Sequence, residues 1–393
     1  MTYQAILLVS CLLLVAFGVE RLSKSTGMPS VVVMIAIGMI SKPLLTSAGV
    51  ELQGIDASVP LMGTLGLVLI VLEGAFDLRL SREHGRANLQ ALLSASIGVL
   101  VCAGLFSLAG MGLLGLAAYN ALLLALPVSV ISSAVAIPAS GFMSKAHREF
   151  VVYESSISDI LGILLFFAVL NSDRSASGIV SSLAINGLIS IVLGAVCALG
   201  LLFVLFKLSG HIRFVPLLSG LFALYALGKI WHLSPLIMVL MFGLILNNPA
   251  MLARLTWFRH MVSSPAYADT VKEFKSLTAE LTFAVRGVFF VLLGYWTDLG
   301  SLGHWGAWLA AGLMLSGIYW PRYWMLTALR VPARRTLTWL APRGLISVLL
   351  FFTAKEVVHP PAFVDGALML VVMLSAIAMG LARWRQHCDS GST

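Results

Sequence analysis

Residues 147–170, HREFVVYESSISDILGILLFFAVL, place Glu154, Asp159 and three serines in a stretch that is otherwise apolar enough to span a membrane. At about 100° per residue, Glu154, Ser155, Ser158, Asp159 and Gly162 share one helix face. A carboxylate at bilayer depth costs at least ~2.5–3.5 kcal/mol, so it normally faces the bundle interior and marks an ion or proton pathway. The segment predicts a membrane helix with an ion site on its polar face; a buried structural ion pair is the alternative for each carboxylate.

The composition excludes an ordinary soluble domain. The chain has 393 residues, 59% of them hydrophobic and 11% charged, with a mean hydropathy of +0.98, which predicts an integral membrane protein. The net charge of +8 is spread between the apolar segments rather than clustered, so no nucleic-acid partner is expected. No metal-ligand spacing and no cofactor motif is present, and residues 1–393 are predicted to form one membrane domain without a soluble regulatory domain.

Apolar runs near the ~20 residues that a helix needs to cross a bilayer predict about thirteen transmembrane helices and an all-α polytopic fold. They lie at about 3–20, 29–45, 58–77, 88–110, 118–141, 148–170, 179–206, 214–231, 234–247, 279–299, 304–329, 340–358 and 364–384. The eighth and ninth are the least clearly separated. The connector 247–277 carries aromatic side chains among Arg and Lys, which predicts a helix lying on the membrane surface; these are Trp257, Phe258, Met261, Tyr267 and Phe274.

The basic residues predict the orientation. Eighteen of the 25 Lys and Arg follow odd-numbered spans or lie in the tail, and four follow even-numbered spans. Cytoplasmic loops are enriched in Lys and Arg. We therefore expect a multi-pass protein of the cell membrane with its N-terminus outside and its C-terminus in the cytoplasm.

Two predicted spans contain helix-breaking residues. The fifth has Pro127 and Pro138 around SVISSAVA, and the twelfth opens with LAPRGLIS, which includes Pro342 and Gly344. A proline removes a backbone donor and loosens the helix. Because the two spans are an odd number of spans apart, they have opposite orientations. This pattern is typical of inverted repeats whose broken helices cross near the midplane, although ordinary proline kinks are an equal alternative.

Further polar residues lie within or beside the spans. Ser129, Ser132, Ser133 and Ser140 line one face of the fifth span, which either binds an ion or only packs against another helix. Glu73 is a further intramembrane carboxylate, in the third span, and a structural pairing is an equal alternative for it.

Three arginines also lie in or beside spans. Arg322 is best placed to offset a buried glutamate, because an unpaired guanidinium there would be costly. Arg343 lies at the mouth of the twelfth span as an accessory residue, and Arg286 has no obvious partner other than Glu280.

The segments LEGAFDL, ISSAVAIP, YESSISD followed by GILLFF, FFVLLGYWTDL, the Arg322 segment and APRGLIS occur in one characteristic order. Between about residues 69 and 352 the chain thereby resembles the monovalent cation:proton antiporters of the sodium/proton exchanger superfamily. The resemblance implies a dimerisation or scaffold domain, at about 3–77 and 214–299, and a mobile core, at about 88–170 and 304–384. It also implies a homodimer in membrane lipid that works by an elevator motion.

The resemblance assigns the cation or proton site to Asp159, with Ser155 and Glu73 as auxiliary ligands. It implies that Glu154 pairs with Arg322. Ser132 and Ser133 fall in the family's unwound segment, where members often have Thr-Asp or Ser-Thr.

Ser158 departs from the family pattern, because members have Asn or Asp there. A serine removes the second charge of the paired-Asp members. The resemblance together with this departure implies exchange of Na⁺, K⁺ or Li⁺ for H⁺ that is electroneutral. Burial favours the protonated form of Asp159 and a bound cation favours the ionised form, so one site suffices for exchange.

Two other functions remain open at this stage. A membrane protein that kept the fold but altered or lost transport, or serves as a regulatory subunit, is compatible with Ser158. An intramembrane enzyme is disfavoured, because the chain offers no HExxH, GxSxG or GxGD motif.

Overall fold

The computed structural model describes residues 2–26, 29–47, 55–77, 85–172, 174–207, 214–231, 233–253, 259, 265–297 and 299–390. Every regular element within these ranges is helical and none is a strand. The predicted all-α class is therefore confirmed.

The helices are numbered in chain order. They are α1 (Thr2–Thr26), α2 (Ser30–Ser47), α3 (Ile55–Asp77), α4 (Gly85–Leu114), α5 (Ala118–Ser129), α6 (Ser133–Ala139), α7 (Lys145–Leu170), α8 (Ala176–Ser181), α9 (Gly187–Lys207), α10 (Phe214–Ile230), α11 (Pro235–Asn247), α12 (Pro249–Leu252), α13 (Pro265–Trp296), α14 (Leu299–Gly303), α15 (Trp305–Ala328), α16 (Arg334–Trp339), α17 (Leu345–Val358) and α18 (Phe363–Ser390). A 3₁₀ turn (Ser140–Phe142) follows α6, and a π-helical turn (Ser182–Asn186) joins α8 to α9.

The helices are those of a multi-pass membrane protein. Within the described residues, seven are long and apolar enough to cross a membrane, and three shorter apolar helices accompany them. Each predicted span coincides with a helix or a pair of helices, and the total of thirteen spans stays a prediction. The eighth and ninth spans are separate helices, because α10 ends at Ile230 and α11 starts with Pro235 in its first turn, where a proline costs no hydrogen bond.

Two of the predicted spans are interrupted. Residues 130–132 separate α5 from α6, and residues 340–344 separate α16 from α17. Pro127 lies inside α5 and Pro138 inside α6, while Pro342 lies in the second interruption. Pro342 has no amide donor and disfavours helix at the residue before it, which fits the second interruption, whereas the first interruption at 130–132 contains no proline.

The helices pack in two groups. One group contains α1 to α3, α9 to α11 and α13, and the other contains α4 to α7 and α15 to α18. In the first group α2 and α13 approach closely through glycines: a Cβ on Gly38 would lie 2.0 Å from the Val291 carbonyl oxygen, and one on Gly294 would lie 2.1 Å from that of Ile35. Small residues at such crossings let helix backbones touch in a membrane.

The connector 247–277 differs from its prediction. Trp257, Phe258 and Met261 lie outside the described residues. Tyr267 and Phe274 belong to α13 and are buried, so the prediction of a surface helix is wrong for them. The Tyr267 hydroxyl donates to the Leu246 carbonyl at 2.8 Å, and the Phe274 ring packs edge-on against Phe76. These contacts join α13, which begins at Pro265, to the ends of α11 and α3.

Candidate ion-binding site

The two interruptions meet, and each supplies hydrogen bonds that the other lacks. The Ser132 amide donates to the Pro342 carbonyl at 2.9 Å. In a continuous helix that amide would bond to the Val128 carbonyl, which instead accepts a hydrogen bond from Arg343 Nε at 2.6 Å. Buried backbone groups require partners, so residues 342–343 complete the hydrogen bonding of the break between α5 and α6.

Two further amides at the first interruption, one within it and one at the start of α6, are bound by α7. The Ile131 amide donates to Ser158 Oγ at 2.9 Å, and the Ser133 amide donates to Asp159 Oδ2 at 3.0 Å. The polar residues predicted on one face of α7 therefore hold the unwound segment in place. Its three successive amides, at 131, 132 and 133, all have partners outside their own span.

Gly344 lies where the two interruptions are closest. A Cβ on this residue would lie 2.3 Å from Ser132 Oγ and 2.7 Å from Ser132 Cβ, so we expect Gly344→Ala to push the two segments apart. Overpacking of this kind costs about 1–3 kcal/mol, and the substitution should lower the melting temperature in detergent. Gly104→Ala is the control, because a Cβ there meets no atom within 4 Å. Equal melting temperatures for the two variants would contradict this close approach.

Asp159 has one bound and one unbound oxygen. Its side chain is buried, with 6% of the residue exposed. Oδ2 accepts the hydrogen bond from Ser133, whereas Oδ1 is buried without a hydrogen-bond partner. Since buried polar atoms are almost always hydrogen-bonded, an orphaned carboxylate oxygen indicates a place for a proton or a cation.

A small cavity of about 20 Å³ adjoins Asp159. One water-sized guest needs roughly 10–15 Å³, so the cavity suits a single small ion or water molecule. Ser156 also lines it, and Ser156 Oγ is buried without a hydrogen-bond partner. Ser156 is one of the three serines of residues 147–170, but it was not predicted as a ligand. Its spacing of three residues from Asp159, which puts both on neighbouring positions of a helix surface, is the signal that could have found it.

The cavity lies between the two packing groups. Its walls come from α3 and α11 on one side and from α7 and α17 on the other. Apart from Asp159 and Ser156, the lining is apolar side chains and Gly74: Ile70, Val71, Gly74, Ile160, Ile163, Leu236, Ile237, Leu240 and Ile346. The unbound carboxylate oxygen therefore lies beside a seam between two helix bundles.

The other predicted ligands occupy different positions. Ser155 is buried, and its hydroxyl donates to the Val151 carbonyl of its own helix at 2.7 Å. Ser132 Oγ is buried without a partner, as is Oγ of Ser347 in the first turn of α17. Glu73 is half-buried on α3 and is not among the residues that line the cavity described here. Its neighbour Gly74 lines the cavity and approaches Ser133.

Glu154 and Arg322 form a buried bidentate ion pair. Arg322 Nη1 lies 2.8 Å from Glu154 Oε1, and Nη2 lies 2.7 Å from Oε2. Ser94 also donates to the Glu154 carboxylate, and Arg322 Nε donates to the Leu337 carbonyl at 3.0 Å. The charges of Glu154 and Arg322 thus compensate each other, and the hydrogen bonds of the pair connect α4, α7, α15 and α16. Among the described residues, no cation contacts the unbound oxygen of Asp159 in the same way.

Two arginines satisfy carbonyl groups that the helix breaks leave free. Arg343 is almost completely buried and binds the Val128 and Ala341 carbonyls. It thereby places a positive charge at the C-terminal end of α5, where the helix dipole is negative. Arg286 donates to the Ala134 carbonyl at 3.2 Å. Pro138 has no amide to bond that carbonyl, so Arg286 replaces the missing donor.

Two broken helices that meet beside an apolar-walled, partly unbound carboxylate define an ion-coupled membrane transporter. The family model for "Sodium/hydrogen exchanger, transmembrane" matches residues 7–383. The chain belongs to this family. The family consists of transporters, so the alternative of an intramembrane enzyme is wrong.

The fold is also similar to that of solved structures. Two structures of the sodium/proton antiporter MjNhaP1 from Methanocaldococcus jannaschii, one at pH 8 and one from an electron-microscopy map, superimpose with TM-scores of 0.75 and 0.70. Each is 19% identical in sequence, and the match covers 98% of both chains. At this identity the likeness shows a shared fold.

Proposed function

We propose that this protein is a secondary active antiporter that exchanges a monovalent cation, Na⁺, K⁺ or Li⁺, for H⁺ at Asp159. The observation that carries the proposal is the buried, unbound Oδ1 of Asp159 beside a cavity large enough for one small guest. Membership of the sodium/hydrogen exchanger family supports the same reaction.

The chemistry of exchange follows from one carboxylate in an apolar wall. Without a cation, burial favours the protonated, neutral form of Asp159; with a cation, the ionised form is favoured. The two ligands therefore exclude each other. The Ser133 amide donates to Oδ2, and this hydrogen bond is proposed to persist in the protonated and the cation-bound state. Oδ1 then carries either the proton or the cation.

Oxygen atoms near the interruptions are proposed to complete the cation's coordination. Ser156 and Ser132 are the first candidates for cation ligands, because their hydroxyls are buried without hydrogen-bond partners. Ser155 and Ser158 can contribute oxygen lone pairs in addition to their present hydrogen bonds, and a hydroxyl oxygen of this kind is a suitable ligand for a hard monovalent cation.

Two further predicted ligands lie nearby. The Ser133 side chain and Glu73 are proposed as ligands that approach when the two helix groups shift. Arg343 remains an accessory residue that fixes the broken helices.

Transport is proposed to proceed by an elevator motion. The core helices, at about 88–170 and 304–384, would carry Asp159 past the scaffold helices, at about 3–77 and 214–299. The cavity at the seam between these groups supports this motion. We further propose thirteen spans arranged as inverted repeats in one domain, a homodimer in the cell membrane, and an N-terminus outside with the C-terminus in the cytoplasm.

The decisive test is transport by the purified protein in liposomes that contain a pH-sensitive dye. Stepped additions of NaCl, KCl and LiCl to liposomes with an acidic interior should raise the internal pH for at least one ion. Absence of proton movement with all three ions would favour the second candidate, a membrane protein of this fold with altered or lost transport. That candidate is motivated by Ser158, whose oxygen accepts a backbone hydrogen bond where the family has Asn or Asp.

We expect the exchange to be electroneutral. Ser158 supplies no titrating charge, so one proton leaves Asp159 for each monovalent cation that binds. A net charge moving through 100 mV would change the energy by ~2.3 kcal/mol, which would alter the rate severalfold. Initial Na⁺/H⁺ exchange rates should therefore be the same with and without a potassium–valinomycin potential. A severalfold dependence on voltage would contradict this stoichiometry and point to Glu73 as a second proton carrier.

Ser156→Ala is expected to weaken cation binding without weakening the fold. Its hydroxyl has no hydrogen bond to lose in the structure, but an interaction with a charged ligand is worth roughly 1.5–3 kcal/mol. The KM for the cation should rise about tenfold or more, with an unchanged melting temperature. Ser140→Ala is the control, because that hydroxyl is bound to the Ile137 carbonyl of its own helix. An unchanged KM in Ser156→Ala would remove Ser156 from the site.

A further inference from the structure

A second cleft, of about 670 Å³, opens on the core group away from Asp159. It lies between α15, α16 and α18, and none of its lining residues belongs to the ion-binding site. Its wall includes Leu315, Tyr319, Trp320, Trp339 and Ala382. The cleft adjoins the first turn of α16, where Arg334 and Arg335 lie, and this part of the chain follows an odd-numbered predicted span.

The wall of this cleft is aromatic. The Tyr319 and Trp339 rings lie 5.0 Å apart between centroids, and 70% of Trp320 is exposed. The Tyr319 hydroxyl is buried and has no hydrogen-bond partner. Trp and Tyr are enriched where a membrane protein meets the lipid headgroups, so this aromatic wall is of the kind that lines a lipid site.

The mouth of the cleft is basic. Arg335 lines it and is exposed. Arg334 precedes Arg335 on α16 and Arg330 lies in the connection before α16. The structure shows no ion pair between these three arginines and a carboxylate in the part of the chain that it describes. A guanidinium binds phosphate oxygens through charged hydrogen bonds, so this cleft combines a phosphate-binding charge with an apolar wall.

We infer that the cleft binds an anionic phospholipid, with the headgroup phosphate on Arg335 and an acyl chain along the wall formed by Leu315 and Ala382. Basic pockets between transmembrane helices bind anionic headgroups on the cytoplasmic side. A soluble phosphate would use the arginine but gain nothing from the apolar wall. The lipid accounts for both features.

Such a lipid would act on the core through α16. Leu337 and Leu340 supply the carbonyl oxygens that bind Arg322, and Thr338 and Trp339, on the same short helix, line the cleft. A lipid that packs against α16 therefore holds the carbonyls that orient the Glu154–Arg322 pair. The expected consequence is higher thermal stability with the anionic lipid, and this measurement does not depend on whether the protein transports ions.

The experiment titrates delipidated protein in detergent with phosphatidylglycerol, phosphatidylcholine or glycerol 3-phosphate and records the melting temperature. Phosphatidylglycerol should raise the melting temperature of the wild type, and the other two probes should have little effect. In Arg335→Gln the half-saturating phosphatidylglycerol concentration should rise roughly fivefold, because the hydrogen bond from this guanidinium to the headgroup phosphate is lost.

Arg334→Gln is the matched control, since it removes the same charge from the adjacent residue, which does not line the cleft. It should keep the wild-type response. Equal responses of Arg335→Gln and Arg334→Gln would overturn the site. Equal effects of phosphatidylcholine would show that only the acyl chains bind, and equal effects of glycerol 3-phosphate would show a soluble anion; either result overturns the assignment to an anionic lipid.

Discussion

Asp159→Asn is expected to reduce cation-driven proton flux to the level of protein-free liposomes. An amide neither releases a proton nor provides a negative charge for a cation, so both half-reactions are lost at once. The fold should persist, because the Asn side-chain oxygen can still accept the Ser133 amide hydrogen bond that Asp159 Oδ2 accepts at 3.0 Å. The unwound segment then keeps its contact with α7.

Flux is measured with the pH-sensitive dye in liposomes that contain equal amounts of wild-type and variant protein. Melting temperatures with and without added cation give an independent measurement of binding, because a ligand that binds only the folded protein stabilises it. The variant should lose the cation-dependent increase. Asp365→Asn is the control: it makes the same chemical change in a carboxylate that pairs with Lys355 at a partly exposed position, and it should keep transport.

Exchange at the wild-type rate in Asp159→Asn would exclude Asp159 as the carrier. Glu73 would then be the next carboxylate to replace, because it lies beside Gly74 at the same seam between the helix groups. Loss of flux together with loss of folding in Asp159→Asn would instead assign the residue to structure, which is why the melting temperature is measured in the same preparation.

The sequence was sufficient to locate residues that are energetically unfavourable inside a membrane helix. A charge or a proline inside an apolar span is expensive, so Asp159, Glu154, Arg322 and the two interrupted helices could be located without coordinates. Each has a clear counterpart in the structure, since the interruptions lie at 130–132 and 340–344 and the carboxylate of Glu154 faces Arg322. The roles of these residues in transport remain predictions.

The sequence could not show which hydroxyl groups are already hydrogen-bonded. Ser155, Ser156 and Ser158 are neighbours on α7, and residue type alone does not distinguish them. In the structure Ser155 bonds to its own helix and Ser158 binds the Ile131 amide, which leaves Ser156 without a partner. On a helical wheel the predicted polar face extends from Glu154 to Asp159. Ser156 lies outside this arc, beyond Asp159, and was therefore not assigned to the site.

Contacts between a side chain and a distant backbone group were equally beyond prediction. Arg286 was expected to pair with Glu280 if with anything, yet it binds the carbonyl that Pro138 leaves without a donor. A missing amide can be read from a proline, but the residue that replaces it is set by how α13 packs against α6. The Val128 carbonyl is a different case: it lacks the Ser132 amide because that amide donates to the Pro342 carbonyl, and Arg343 replaces it.

Replacing either member of the Glu154–Arg322 pair is expected to cost about 3–5 kcal/mol, because a buried charge then has no counter-ion. Glu154→Ala leaves a guanidinium whose remaining contacts are the Leu337 and Leu340 carbonyls. Arg322→Ala leaves a carboxylate whose remaining donor is Ser94 and also removes a donor from each of those two carbonyls. Both variants should melt at lower temperatures than the wild type in detergent, and Arg322→Ala should melt lowest.

The double variant should recover part of the loss, since neither charge is then buried alone. Residues in direct contact show coupling energies of about 0.5–3 kcal/mol in such cycles. Recovery should remain incomplete, because the Leu337 and Leu340 carbonyls stay without the guanidinium. Arg322→Lys should fall between Arg322→Ala and the wild type, because an ammonium group keeps the charge but cannot form the two parallel hydrogen bonds of the arginine.

Lys355 and Asp365 provide the matched control cycle, because they form an ion pair whose side chains are 40% and 35% exposed. Partly exposed pairs typically contribute at most ~1 kcal/mol, so their single and double alanine variants should melt close to the wild type. Strict additivity in the Glu154–Arg322 cycle, or coupling no larger than that of the control pair, would show that α7 and α15 are not held together by these charges. The stability of the core would then rest on the backbone contacts of the two interruptions.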